Sequence, residues 1–255
     1  TRGRIKASAK SDAMTVGATI EIGLTDGDNA SQSASGGESF SVRHSVLYVS
    51  NSMGKVTMGH TSHAGEAYLV SDVSGTGFAT SHSATPYADV LFNDTSSTAG
   101  SAAAGVSVET AQGGGYGAGR DNGISYTTPK FNGFTAMVSH RTDASGAYNV
   151  KYGGDFNGVK VSAGYSYANM ATASGVLKTA AQDSVHGGGV GIELPNGLNI
   201  SSSFREEEKN SANTAPDGNN WMTKVGYKMT GLSDLGGTNI ALMYKKSEDQ
   251  STTGD

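Results

Sequence analysis

Residues 2–10 read RGRIKASAK, and residues 14–24, after the break Ser11-Asp12-Ala13, read MTVGATIEIGL. In the first segment Arg2, Arg4, Lys6, Ser8 and Lys10 share one parity, with Gly3, Ile5, Ala7 and Ala9 on the other. In the second, Met14, Val16, Ala18, Ile20, Ile22 and Leu24 alternate with Thr15, Gly17, Thr19, Glu21 and Gly23. Successive side chains of a strand point to opposite faces, so this strict alternation predicts two strands joined as a hairpin. One face is charged and glycine-bearing; the other is an apolar stripe. A soluble sandwich would turn that stripe inward, onto a core. A membrane barrel turns it outward, to lipid, around a wet lumen, and about 9–11 residues are enough for a tilted strand to cross.

The rest of the chain repeats the pattern. Residues 41–50 and 55–61 flank Asn51-Ser52-Met53-Gly54, and residues 122–128 and 134–141 flank Pro129-Lys130-Phe131-Asn132-Gly133. Residues 148–152 and 159–167 flank GGDFNG, residues 186–194 and 198–205 flank Pro195-Asn196-Gly197, and residues 221–228 and 238–246 flank a turn ending in Gly236-Gly237. Gly, Pro and Asn at these points are turn residues for a physical reason, since they supply positive or fixed φ angles. Six hairpins predict about twelve strands. The connections between hairpins differ: residues 25–40, 170–184 and 206–219 are long and rich in Ser, Asn, Asp and Gly, and 142–146 is the one short exception. Short turns at one end and long loops at the other are the asymmetry of an outer-membrane barrel. The Glu206-Glu207-Glu208-Lys209 run reads as part of a solvated external loop.

Composition excludes several classes. Of 255 residues 36% are hydrophobic, and there is no run long enough for a transmembrane helix, which leaves barrels open because their strands are half polar. The absence of cysteine removes disulfides, thiolate metal sites and cysteine nucleophiles. A net charge of −5 argues against a nucleic-acid partner. The apolar parity carries Tyr126, Phe134, Tyr148, Tyr152, Tyr165, Tyr167, Phe204, Trp221, Tyr227 and Tyr244, mostly near strand ends, as interfacial aromatic girdles would. The opposite parity carries Arg2, Arg4, Lys6, Arg43, Lys55, Arg141, Lys151, Lys160, Arg205, Lys224, Lys228 and Lys245, against Glu21 and Glu193. So basic a face suits a wet lumen.

RIKASAKSDAMTVGATIEIGL, RHSVLYVSNSMGKVTMGHTS and ISYTTPKFNGFTAMVSHR resemble the general porins of Gram-negative bacteria, in which a basic strand leads to a hairpin, a GKVTLG-like strand, a long folded-in loop and a Y-x-S/T-P-x-F-x-G-F turn. The resemblance implies an all-β, antiparallel up-and-down transmembrane barrel of 16 strands, about 12 of them represented here. It implies a homotrimer in the outer membrane that gives passive transport of ions and small hydrophilic solutes, with the lipid bilayer and lipopolysaccharide around it and no cofactor. On this reading residues 1–255 form a single barrel domain, beginning within the second strand, and about four further strands would close it. The long connection 64–120 becomes the loop that folds inward to constrict the channel. Its acids Glu66, Asp72, Asp89, Asp94 and Glu109 would face a basic wall of Arg2, Arg4, Lys6 and Arg43, and opposed rows of charge orient dipolar solutes and bias which ions enter. Ion preference stays open, because the wall is basic while loops and net charge are acidic.

No catalytic constellation stands out. Gly113–Gly119 reads GGGYGAG, which does not match a dinucleotide fingerprint, and Gly54-Lys55 precedes Val56 rather than the Ser or Thr of a P-loop. The six histidines show no paired metal spacing. Asp26 and Asp28 in Asp26-Gly27-Asp28-Asn29 are the one metal candidate, a loose external Ca²⁺ site, but the remaining ligands of a calcium loop are missing and a solvated loop is the simpler reading. A barrel plugged by its long loop, with a structural or adhesive role, is the main alternative; a barrel enzyme would need a Ser/His/acid set at the external rim.

Overall fold

The computed structural model describes residues 2–25, 39–62, 64–65, 71–77, 120–142, 145–169, 182–209, 217–233 and 236–248. They form β1 (Arg2–Lys10), β2 (Thr15–Thr25), β3 (Ser39–Asn51), β4 (Gly54–Ser62), β5 (Arg120–Thr127), β6 (Phe134–Arg141), β7 (Gly146–Phe156), β8 (Val159–Asn169), β9 (Gln182–Glu193), β10 (Leu198–Lys209), β11 (Gly218–Ser233) and β12 (Gly236–Glu248). All twelve belong to one sheet in chain order, each antiparallel to the next. This is the up-and-down meander that the alternation predicts, with the predicted number of strands.

The tightest turns follow from their sequences. Phe131 and Phe134 exchange both backbone hydrogen bonds, at 2.9 and 2.8 Å, across Asn132-Gly133. Both central residues have positive φ, 46° and 91°, as do Asn157 and Gly158 at 53° and 87°. Asn-Gly accepts that geometry, and the resulting twist matches the flanking strands. The structure therefore shortens one expected turn. Gly153 and Gly154, read as part of a GGDFNG turn, stay paired with Ser162 and Val161 inside β7 and β8. A second correction concerns residues 206–209, which extend β10 rather than joining a loop: Glu206 pairs with His186 and Glu207 with Val185 in the β9 ladder.

Burial is inverted relative to a soluble protein. Ile5, Val16, Ile20, Leu47, Ile124, Val138, Val150, Ile200, Val225 and Leu242 are exposed, Leu242 at 80%. Buried residues are mostly polar: Glu21, Asn149, Ser166, Ser201, Arg205, Asn220 and Lys224 among them. A contiguous apolar exterior of this extent needs lipid to cover it. Aromatic side chains mark two levels on that exterior. Near the short-turn end Phe134, Tyr152 and Phe156 lie in series, with ring centres 4.7 and 6.4 Å apart. Near the other end Tyr148 stacks on Tyr167 at 5.5 Å and Trp221 meets Tyr244 edge-on at 5.8 Å. Amphipathic rings at both water–lipid boundaries, with aliphatic residues between, define the membrane-facing band.

Candidate functional site

The inward face is built from rows of opposed residues that run across the strands. One row begins Arg4, Glu21, His44, Thr61, Asp121. A β-bulge at Glu21/Ile22 leaves Arg43 unpaired in the ladder, so Arg43 and His44 both turn toward Glu21. Glu21, 2% exposed, accepts a hydrogen bond from Arg43 Nε at 3.0 Å and forms an ion pair with Arg4. His44 Nδ1 shares a hydrogen bond with Thr61 Oγ1 at 2.8 Å. Two guanidinium groups on one buried carboxylate satisfy its lone pairs and cost little further desolvation. Of the basic set Arg2, Arg4, Lys6 and Arg43, the structure thus brings Arg4 and Arg43 together on Glu21, a wall acid. Lys6 stands in the adjacent row opposite Thr19, and Arg2 lies opposite Gly23.

Across the sheet a second neutralised group forms at the short-turn end. Glu193 accepts from Lys228 Nζ at 2.6 Å and from Lys160 Nζ at 3.2 Å. Toward the opposite end Arg141 pairs with Asp121 at 3.2 Å, and buried Arg205 pairs with Glu207.

The described parts of the long β4–β5 connection lie on this same inward face. Ala64 is fully buried beside Ala147, Ala168 and Val185. Its N–H donates to Ser139 Oγ at 3.2 Å, and its carbonyl accepts from Asn149 Nδ2 at 2.7 Å. Residues 71–77 then seat on β9–β11. Val73 N–H donates to Ser201 Oγ at 3.2 Å, and the Ser71 carbonyl packs so closely on Gly191 that a β-carbon there would collide with it. Lys224, 0% exposed, donates from Nζ to Asp72 Oδ2 at 2.7 Å and reaches Ser74 Oγ at 3.3 Å and Thr76 Oγ1 at 3.4 Å. Asp72 Oδ1 also accepts from the Ser74 N–H and hydroxyl, at 3.1 and 2.6 Å. Burial by itself raises the Asp72 carboxyl, but the hydrogen bonds from Lys224 and Ser74 outweigh it and hold the group below the usual carboxylate range.

Asp72 therefore meets Lys224 of β11 rather than the basic set of β1 and β3. Glu66, Asp89, Asp94 and Glu109, together with Asp26 and Asp28, lie outside the described residues. Sequence reading placed Lys224 on the lumen parity but had no signal for its partner, 152 positions away. It also counted Glu21 as a minority charge and missed the bulge that gives it two arginines. Among the described residues no group of three or more His, Asp or Glu is arranged to hold a metal ion.

A twelve-stranded meander with an apolar exterior, aromatic boundaries and a charged interior describes a membrane barrel wall. A family profile of Gram-negative porins matches residues 2–255. This chain belongs to the Gram-negative porin family. As a porin it resides in the outer membrane. No curated protein sequence matches it. Among solved structures, the porin is similar to the loop L8 deletion mutant of OmpT, an outer membrane protein of Vibrio cholerae, at 14% identity and a TM-score of 0.56, over 97% of this chain and 73% of that one. Lower scores go with an anion-selective porin from Comamonas acidovorans (0.42, 14% identity, 96% and 78% coverage) and with Salmonella typhi OmpF in complex with daunomycin (0.40, 14% identity, 96% and 89% coverage). At these identities the first likeness bears on the barrel fold of the porin and on nothing finer.

Proposed function

We propose that this porin is a general diffusion pore, passing ions and small hydrophilic solutes down their gradients without cofactor and without catalysis. The observation that carries the reading is the seating of residues 71–77 on the inward wall through Asp72 and Lys224, which supports an inward course for the long connection. On this reading residues 1–255 act as one barrel domain and 64–120 as its constriction loop. Asp72 anchors the loop, Glu66, Asp89, Asp94 and Glu109 are its proposed acids, and Arg2, Arg4, Lys6 and Arg43 supply the basic wall. Charged rows bounding a water-filled constriction favour polar solutes and exclude apolar ones.

The working unit is a homotrimer. Its contact face is the outward parity of β1 and β2, where Ala7, Ala9, Val16, Ala18 and Ile20 offer a surface of small and aliphatic groups. Ala18→Arg places a charge in that contact and should convert the heat-sensitive trimer band on an unheated gel to monomer; unchanged migration would count against this face. The deciding experiment is single-channel conductance in a planar bilayer. Openings in groups of three support a trimeric pore, and a protein that inserts without conducting overturns the reading in favour of a plugged, structural barrel.

A further inference from the structure

The inward face of β1–β6 has a depression of about 360 Å³. Its origin is in the register. The row that runs Lys6, Thr19, Val46 continues through Gly59 and Gly123 before reaching Arg141, so two consecutive positions carry no side chain. Around the gap stand Lys6, Lys55 and His44, with the hydroxyls of Thr57, Ser125 and Thr127. The carboxylates of the row above are already engaged, Glu21 by Arg4 and Arg43 and Asp121 by Arg141. Lys6 and Lys55 have no carboxylate partner among the described residues, and the Lys55 ammonium rests over the Tyr48 ring, 4.7 Å from its centre. Among the described residues the rim therefore offers two ammonium groups without a carboxylate partner and a set of hydroxyl donors around a hollow wide enough for a small solute. That is the donor set a tetrahedral oxyanion takes: charge-assisted hydrogen bonds from cations, completed by neutral O–H groups.

Resting on the diffusion-pore reading, we infer that this depression is an oxyanion subsite, at which the pore prefers anions to cations and small oxyanions such as phosphate to chloride. Lys6 and Lys55 hold the anion's charge, and Thr57, Ser125 and Thr127 donate to its remaining oxygens.

The test uses the full chain in planar bilayers. A KCl gradient is expected to give a reversal potential of anion-preferring sign. Inorganic phosphate added at fixed chloride and neutral pH should then reduce the chloride current saturably. In the Lys6→Gln/Lys55→Gln variant the half-blocking phosphate concentration should rise at least about tenfold, since each lost contact is a charged hydrogen bond. The Lys6→Arg/Lys55→Arg variant should restore the block, and Lys130→Gln, in the turn before β6, should leave it unchanged. A cation-preferring pore, a chloride current indifferent to phosphate, or equal block of the wild-type and Gln variants overturns the subsite while leaving the pore standing. A chain that inserts and passes no current overturns the pore, and the subsite with it. Phosphate block of the unmodified protein stands as a test whether or not the variants fold.

Discussion

Replacing Lys224 by Met keeps the length of the side chain and removes its charge, and so tests what holds residues 71–77 to the wall. The Lys224 ammonium is fully buried and its hydrogens go to Asp72, Ser74 and Thr76 at 2.7, 3.3 and 3.4 Å. Removing one partner of a buried ion pair typically costs about 3–5 kcal/mol, because the other charge is left uncompensated. Here Asp72 retains two hydrogen bonds from Ser74 and its side chain is 16% exposed, so the loss falls at or just below the bottom of that range, about 2–3 kcal/mol. That loss falls on the docking equilibrium of the segment, since the strand ladders on either side do not depend on it. It enlarges the undocked population by roughly 30- to 150-fold. Hydrogen exchange measured by mass spectrometry on a peptide covering residues 71–77 reads this through the Val73 amide, which donates to Ser201 Oγ on the wall only in the docked state. Its exchange should accelerate by that factor while β9–β11 keep their protection. Adding Asp72→Asn to Lys224→Met should cost less than the sum of the single changes, since the stranded carboxylate is then gone. Unchanged exchange in Lys224→Met would refute the claim that this ion pair fastens the loop.

Three further outcomes follow from the same geometry. Gly191→Ala puts a methyl group against the Ser71 carbonyl, a backbone atom that can yield only if the segment lifts, so exchange over 71–77 should accelerate while strand protection is kept. Asp72 titrates below its ordinary 3.8 when docked, so its contribution is fully present above that value and is lost as pH falls beneath it; protection of 71–77 should be flat from neutral pH to about 5 and collapse in stronger acid. Val225→Arg lies on the exposed outward face of β11 between the levels of Trp221 and Tyr227, and should lower the free energy of folding into vesicles by about 2–4 kcal/mol in a urea titration.

The barrel wall was legible in the sequence because its code is local. Parity alone assigns a face, so Ile20 and Val225 could be read as lipid-facing and Lys6 and Lys224 as inward from their neighbours. Strand ends were harder. Gly153 and Gly154 look like turn residues, yet the ladder holds them because the turn needs only Asn157-Gly158. Residues 206–209 carry four charges in succession and so hide their alternation, but Glu207 turns inward to Arg205 while Glu206 meets His186 across β9 at 3.1 Å. The site was legible as a charge inventory and illegible as a pairing. Which acid meets which base depends on a bulge at Glu21 and on the path of a loop, and neither leaves a periodic trace.

The order of the strands also bears on assembly. Every ladder in the sheet joins neighbours in the chain, so most strands, β5 after the long connection being the main exception, can be added to their predecessors by closing a turn or a loop of modest length. The loop contacts are of another kind: Ala64 to Asn149 spans 85 positions, Val73 to Ser201 128 and Asp72 to Lys224 152. Closure over such separations carries a larger entropic cost and has no binding surface until the receiving strands are in place. Folding of this wall therefore runs as a zipper of hairpins, and the loop is fastened last, onto strands whose polar face has until then been filled by water.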